Sequence, residues 1–197
     1  MRIAIKKTKV YKFSELSASA QQNAIGKFRE NNLDDDWYDS VYEDAMTIGA
    51  LMGIDIDKIY FSGFSLQGDG ACFEGNYHYQ KGGTKAIKDY APLDTKLHII
   101  AESLQALQSK NFYRLTATIK HSGYYYHSGC TDIDVSNGDN WANDETEKEL
   151  KDILRSFMNW IYHKLEEDYT YLQSDEVIKE SIEADEYEFT EDGKFYA

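Results

Sequence analysis

Proline is all but missing from this chain of 197 residues, with Pro92 its single example. No stretch rich in serine, glycine and proline interrupts the sequence, which argues against a long linker or a disordered tail. Cysteine is nearly as scarce: Cys72 and Cys130 are the only two. One pair does not make a disulfide scaffold, and a chain of this length buries an adequate core without one. Two free thiols in a reducing cytosol are therefore expected. No run approaches about eighteen apolar residues, so no membrane-spanning helix is expected. The N-terminus carries charge without an apolar segment and does not read as a secretory signal.

Signatures that name a reaction are missing as well. The glycine-rich segment Ser62–Gly70 lacks the Lys-Ser/Thr pair of a P-loop, and a strand pattern follows it where a nucleotide loop needs a helix. Gly68-Asp69-Gly70 reads as a hairpin turn. No serine sits in a nucleophile elbow, and no cysteine–histidine signature of a thiol enzyme is present.

What the chain does have is acid, unevenly spread. The formal net charge is −14, yet the first twelve residues carry Arg2, Lys6, Lys7, Lys9 and Lys12 with no acid at all. From Asp144 onward there are 17 acidic and 6 basic residues. Between Glu166 and Asp192, twelve carboxylates are set against one base, Lys179. Such a surface repels nucleic acid and membranes and attracts basic protein surfaces. Sixteen tyrosines make up most of an aromatic fraction of 14%, so much of the apolar area comes as amphipathic rings.

Periodicity gives the elements. Ile3, Ile5, Tyr11 and Phe13 share one parity, which predicts a basic opening strand within residues 1–13. Ser17 caps a helix to about Asn31, with Leu16, Ala20, Ala24, Ile25 and Phe28 on one side. Asp34, Asp35 and Asp36 stand at the positive end of a second helix, which carries Trp37, Val41, Ala45, Ile48 and Met52 and stops at Gly53. Strands follow over Ile54–Leu66 and Ala71–Tyr79, then a helix over Leu93–Leu107. Phe112–Ile119 and Tyr124–Val135 pair about a turn near Gly123, and Gly138–Asn143 reads as loop. A long helix over about Glu145–Tyr169 carries the stripe Leu150, Ile153, Leu154, Phe157, Met158, Ile161 and Leu165. Within it Phe157, Trp160, Ile161 and Leu165 face either core or a partner groove, with core the default and Trp160 towards the edge. A short acidic helix, Asp175–Ala184, and a last hairpin around Asp192-Gly193 close the chain. The whole reads as an α+β fold: a mainly antiparallel sheet built from hairpins, flanked by about five to six helices, in one domain spanning 1–197 whose part from 144 is acidic and helical.

Two constellations carry candidate chemistry. His121, His127 and Cys130 are soft ligands in one hairpin, with Cys72 across the sheet, and Asp132 and Asp134 share one strand face. The spacing H-x5-H-x2-C matches no common zinc pattern. Ordinary sheet residues are the adopted reading, with no metal, cofactor or catalytic residue. A metal-dependent enzyme or metal-binding protein using His121, His127, Cys130 and Asp132/Asp134 is the alternative. The acidic flank is the second constellation. Carboxylates at i, i+3 and i+4 on a helix lie about 5–6 Å apart, only slightly closer than phosphates along a DNA strand. Glu166, Glu167, Asp168, Asp175, Glu176, Glu180 and Glu183 are the candidate partner-binding residues.

Five stretches carry a resemblance over nearly the whole length: Tyr11-Lys-Phe-Ser-Glu-Leu-Ser17, Ile59-Tyr-Phe-Ser-Gly-Phe64, Gln67-Gly-Asp-Gly-Ala-Cys-Phe-Glu-Gly75, Cys130-Thr-Asp-Ile-Asp-Val135 and Glu186-Tyr-Glu-Phe-Thr-Glu-Asp-Gly193. The chain resembles a group of small proteins carried by phages and prophages, some labelled antitoxin of a toxin–antitoxin stability system. No catalytic residue carries over from that group. The resemblance implies a mobile-element origin, a setting in which small acidic proteins often block host defence proteins. The functional expectation is a non-enzymatic, phage-encoded binding protein in the bacterial cytoplasm. It inhibits a basic or nucleic-acid-binding host protein, in the manner of an anti-CRISPR, anti-restriction or antitoxin protein, through a DNA-mimic surface. It contacts neither nucleic acid nor membrane itself. A phage structural or assembly component is a further alternative.

Overall fold

Residues 7–29, 33 and 36–196 are described by the computed structural model of the chain. Length alone suggested one domain; the chain folds as two compact units, Tyr38–Glu166 and Met1–Trp37 with Glu167–Ala197. In chain order the elements are β1 (Tyr11–Lys12), a 3-10 turn (Phe13–Glu15), α1 (Ala18–Arg29), α2 (Asp39–Met52), β2 (Ile54–Phe61) and β3 (Ala71–Tyr77). Then come α3 (Gly83–Tyr90), α4 (Thr95–Lys110), β4 (Leu115–His121), β5 (Thr131–Asn137) and β6 (Asn140–Trp141). The chain ends with α5 (Asp144–Leu172), α6 (Asp175–Ala184) and β7 (Glu188–Phe189). Among the described residues this is an α+β fold of six α-helices, a five-stranded antiparallel sheet and a separate two-stranded sheet.

The larger unit is organised by a sheet whose strands β4 and β5 are buried on one face, while on β3 the consecutive residues Ala71, Cys72 and Phe73 are all buried. Its strand order is β2-β3-β4-β5-β6. Along β4, Leu115, Ala117 and Ile119 are buried while Thr116, Thr118 and Lys120 are exposed; along β5, Thr131, Ile133 and Val135 are buried while Asp132 and Asp134 are exposed. That period of two is what one-sided burial demands. The buried face meets the helices: the rings of Phe73 on β3 and Phe157 on α5 lie 6.0 Å apart, edge to face. The α5 stripe, Leu150 through Leu165, is buried as its 3.6-residue spacing predicted, and Trp160 is buried with it. The core reading of this stripe holds.

Buried Gln108 on α4 fixes where β4 begins. Its amide nitrogen donates to the Leu115 carbonyl at 2.8 Å and to the Tyr77 hydroxyl at 3.1 Å, and its oxygen accepts from the Leu115 N–H at 3.1 Å. The preceding turn carries Phe112 and Tyr113 at φ 55° and 61°, in the left-handed region. The strand expected from Phe112 therefore starts at Leu115. α4 and α5 run antiparallel, since Lys110 at the end of α4 pairs with Glu149 while Asp94 before its start meets Trp160 and Lys164.

Other boundaries moved for similar reasons. Ile3 and Ile5 lie outside the described residues; within the described part of the strand expected over 1–13, β1 covers Tyr11–Lys12. Asp34 and Asp35 are also outside, while Asp36 lies in a turn three residues ahead of α2, whose first-turn acid is Asp39. At the other end Gly53 closes α2 with φ 81°, as expected of a C′ glycine. The segment Gly138–Asn143, expected as loop, includes β6. α3 had no counterpart in the sequence reading.

The smaller unit has its own core. Phe13, Leu16, Ala20, Ala24 and Ile25 pack with Ile178, Ile182 and Phe189, bordered by Tyr11, Phe28 and Tyr187. β1 pairs with β7 antiparallel, and the hairpin around Asp192-Gly193 is present, closed by Thr190 N–H to Lys194 carbonyl at 2.8 Å. At Gly193 a Cβ would stand 2.0 Å from the Ala20 carbonyl oxygen, so only glycine lets this turn reach α1.

Two outcomes test this packing. Phe157→Ala removes a fully buried ring, and a loss of about 3–5 kcal/mol is expected, read as a lowered denaturant midpoint. Asp94 accepts from the Leu97 N–H at 3.0 Å and the Trp160 indole N–H at 2.8 Å. Burial pushes its carboxyl up, but these donors and the Lys164 ammonium outweigh that and hold it below the usual carboxylate range. A depressed carboxyl stabilises the fold above its unfolded value, near pH 4, and loses that contribution as pH falls through its folded value. Against Asp94→Asn, wild type should be the more stable near neutral pH, and the gap in urea midpoints should narrow as the pH falls below the ordinary carboxylate range.

Candidate functional site

The acidic residues singled out from the sequence lie on two helices, α5 and α6, and differ in helical phase on each. α6 buries Ile178 and Ile182, one turn apart, which turns Glu176, Glu180 and Glu183 outward along a single helical face. All three are exposed; Lys179 shares the face and pairs with Glu183 at 4.0 Å. Glu176 and Glu180 make no ion pair among the described residues. Ser174 caps the helix through its hydroxyl, which accepts from the Val177 N–H at 3.4 Å. Asp175 points elsewhere: its carboxylate is paired with Arg29, whose Nε also donates to the Gln173 carbonyl at 3.0 Å.

On α5, Glu166, Glu167 and Asp168 are consecutive, and 100° per residue fans them around the helix. Glu166 belongs to the larger unit, half-buried and 3.5 Å from His163 Nδ1; Glu167 is exposed and Asp168 half-buried. Of the seven residues, then, Glu176, Glu180 and Glu183 share one outward face of α6 with Lys179 among them, while Asp175 is paired with Arg29 and Glu166, Glu167 and Asp168 fan around α5. The sequence density of carboxylates overstates the array because it ignores helical phase.

The hairpin constellation is arranged by aromatic stacking. Tyr60 stacks on His121 at 4.9 Å and on Tyr126 at 5.4 Å, and Lys58 lies 4.4 Å from the Tyr60 ring centre. His121 places Nε2 3.0 Å from the Tyr125 carbonyl. His127 accepts the Gly129 N–H on Nδ1 at 3.1 Å, leaving Nε2–H to face Cys130 Sγ at 3.4 Å. At Gly70 a Cβ would stand 2.6 Å from His127, so this glycine serves the approach of the two hairpin loops. Asp69 folds its loop by accepting from the Ser65 and Leu66 N–H groups at 2.9 and 2.7 Å, and those bonds hold its carboxyl low. Gly68-Asp69-Gly70 thus sits in a hairpin turn, as expected. Asp132 and Asp134 lie exposed on the open face, opposite Lys120 and Thr118. Among the described residues, no three His, Cys, Asp or Glu side chains are gathered as a metal ion requires. Both cysteines are free thiols.

A family model described as a domain of unknown function, DUF8835, matches residues 37–175. The chain belongs to that family. No curated protein and no solved structure matches it. The DUF8835 segment takes in the whole larger unit and ends at the first residue of α6. The outward face Glu176, Glu180 and Glu183 therefore lies outside it, while the hairpin constellation lies inside. No helix among the described residues is long and apolar enough to cross a membrane.

The two thiols differ sharply in setting. Cys72 is fully buried, and burial pushes its thiol up to about 12, whereas Cys130 is half-buried at a loop end. Native protein treated with an aromatic disulfide reagent is expected to release about one equivalent of thiolate promptly, from Cys130, and a second only in denaturant. Two equivalents in native buffer would show that β3 opens freely.

Proposed function

We propose that the chain is a non-enzymatic binding protein that occupies the basic surface of a nucleic-acid-binding protein. The observation that carries this reading is the outward face of α6, where Glu176, Glu180 and Glu183 stand in line on a net charge of −14. Carboxylates at that spacing offer a basic surface a row of charge about 5–6 Å apart. Long-range attraction to such a field speeds association and makes it salt-sensitive. The resemblance to phage and prophage proteins makes a host defence protein or a toxin in the bacterial cytoplasm the partner of choice, and inhibition by occupancy the mode.

Replacing Glu176, Glu180 and Glu183 together with Lys tests it. These side chains are exposed, so the fold should hold, with the melting temperature lowered only by the lost Lys179–Glu183 pair and the new like charges beside Lys179. Immobilised wild type should retain a nucleic-acid-binding protein from host lysate, release it in high salt and yield it to competing duplex DNA, while the triple variant fails to retain it. Retention that survives the charge reversal, or that duplex DNA cannot compete, overturns the reading. The chain itself should leave duplex DNA unshifted in a gel. A shift abolished by neutralising Lys6, Lys7 and Lys9 would move the functional surface to the basic end.

A further inference from the structure

The larger unit carries a groove that the acidic face does not explain. It runs between the antiparallel helices α4 and α5, has a volume of about 290 Å³, and is lined by Lys96, Ile99, Ile100, Ser156, Asn159, Trp160 and His163. That is close to the lower bound of small-molecule sites, about 300 Å³. The residues fall at helical spacing on both sides, so each helix presents one stripe to the groove. Ile100 and Trp160 are buried and form its floor, while Ile99 is 62% exposed. The indole cannot rotate away, because its N–H is held by Asp94 at 2.8 Å.

Charge sets this groove apart from the rest of the chain. None of the seven lining residues is acidic, in a protein with 35 carboxylates and 21 lysines and arginines. Lys96 is exposed and makes no ion pair among the described residues. A second ammonium, that of Lys164, lies 5.8 Å from the Trp160 ring centre. The neighbouring carboxylates are engaged: Asp94 with Leu97, Trp160 and Lys164, and Glu166 with His163 at 3.5 Å. Asn159 is exposed, with its amide uncommitted among the described residues.

We propose that this groove binds a small apolar monocarboxylate, its chain or ring laid along Ile99, Ile100 and Trp160 and its carboxylate on the Lys96 ammonium. Apolar floor plus one placed cation is the composition of a site for that chemical class, since the floor supplies burial and the cation supplies orientation. An apolar ligand without the carboxylate leaves Lys96 unused, and a polar anion leaves the floor wet. This inference does not depend on the α6 reading, because every groove residue lies in the larger unit and inside the DUF8835 segment.

Octanoate and its neutral counterpart 1-octanol, titrated into the full chain, form the test, with methyl NMR shifts of Ile99 and Ile100 reporting the location. Octanoate should bind saturably at about 1 mM or below and move those methyls. 1-Octanol should bind about fivefold more weakly or worse. Lys96→Glu should weaken octanoate about tenfold or more without changing the melting temperature, and should leave 1-octanol unaffected. Ile99→Asp should abolish both. Equal binding of acid and alcohol, octanoate affinity indifferent to Lys96→Glu, shifts confined to other residues, or no saturation would each overturn the proposal.

Discussion

One-sided burial along β4 and β5 is the constraint on which the larger unit depends. A strand with one wet and one dry face must alternate, and once the register is set every side chain's fate follows. Phe73 goes in to meet Phe157; Asp132 and Asp134 go out to water. The register itself is held where β3 ends and β4 begins by a polar group placed inside, Gln108, through its three bonds to Tyr77 and Leu115. A buried amide that satisfies a strand's first N–H and C=O specifies alignment in a way that apolar contacts, which tolerate sliding, do not.

The parts of this fold that were legible in the sequence are those whose burial leaves a period behind it. α5 and α6 were readable because their buried residues recur at three and four, and the turns at Gly53 and Asp192-Gly193 because each needs a backbone that glycine supplies. α3 was not, because its eight residues bury only Gly83 and Ile87 and so write no stripe. β6 escaped for the same reason: two exposed residues held by pairing alone carry no pattern. The pairing of β1 with β7 joins residues some 177 positions apart, at Tyr11 and Phe189 (a difference of 178) and Lys12 and Glu188 (176), and no local signal encodes such a contact.

The candidate site was legible only in part, for a reason that lies in geometry. Counting carboxylates from Glu166 to Asp192 measures density along the chain, but a binding partner sees faces. On α6 density and phase coincide, since the burial of Ile178 and Ile182 leaves Glu176, Glu180 and Glu183 together. On α5 they part, and Glu166, Glu167 and Asp168 point three ways. Trp160 marks the converse case. Its position towards the edge of the apolar stripe was visible in the sequence, yet that edge gains meaning only beside Lys96 and Ile99, which belong to another helix.

The two candidate surfaces are separable, and that separation follows from how the cores are built. Ile178 and Ile182, which aim the acidic face, pack with Phe13, Ala24 and Phe189, all residues of the smaller unit. Trp160 and Ile100, which floor the groove, belong to the larger one. Charge added or removed at Glu176, Glu180 or Glu183 acts through the field, which salt screens within about 8–10 Å, whereas a change at Ile99 acts by contact. The substitution that abolishes an effect therefore identifies its origin. A binding event weakened by salt and by charge reversal on α6 belongs to the acidic face. One that fails with Ile99→Asp belongs to the groove, where salt screens the Lys96 contribution but not the burial of apolar area along the floor.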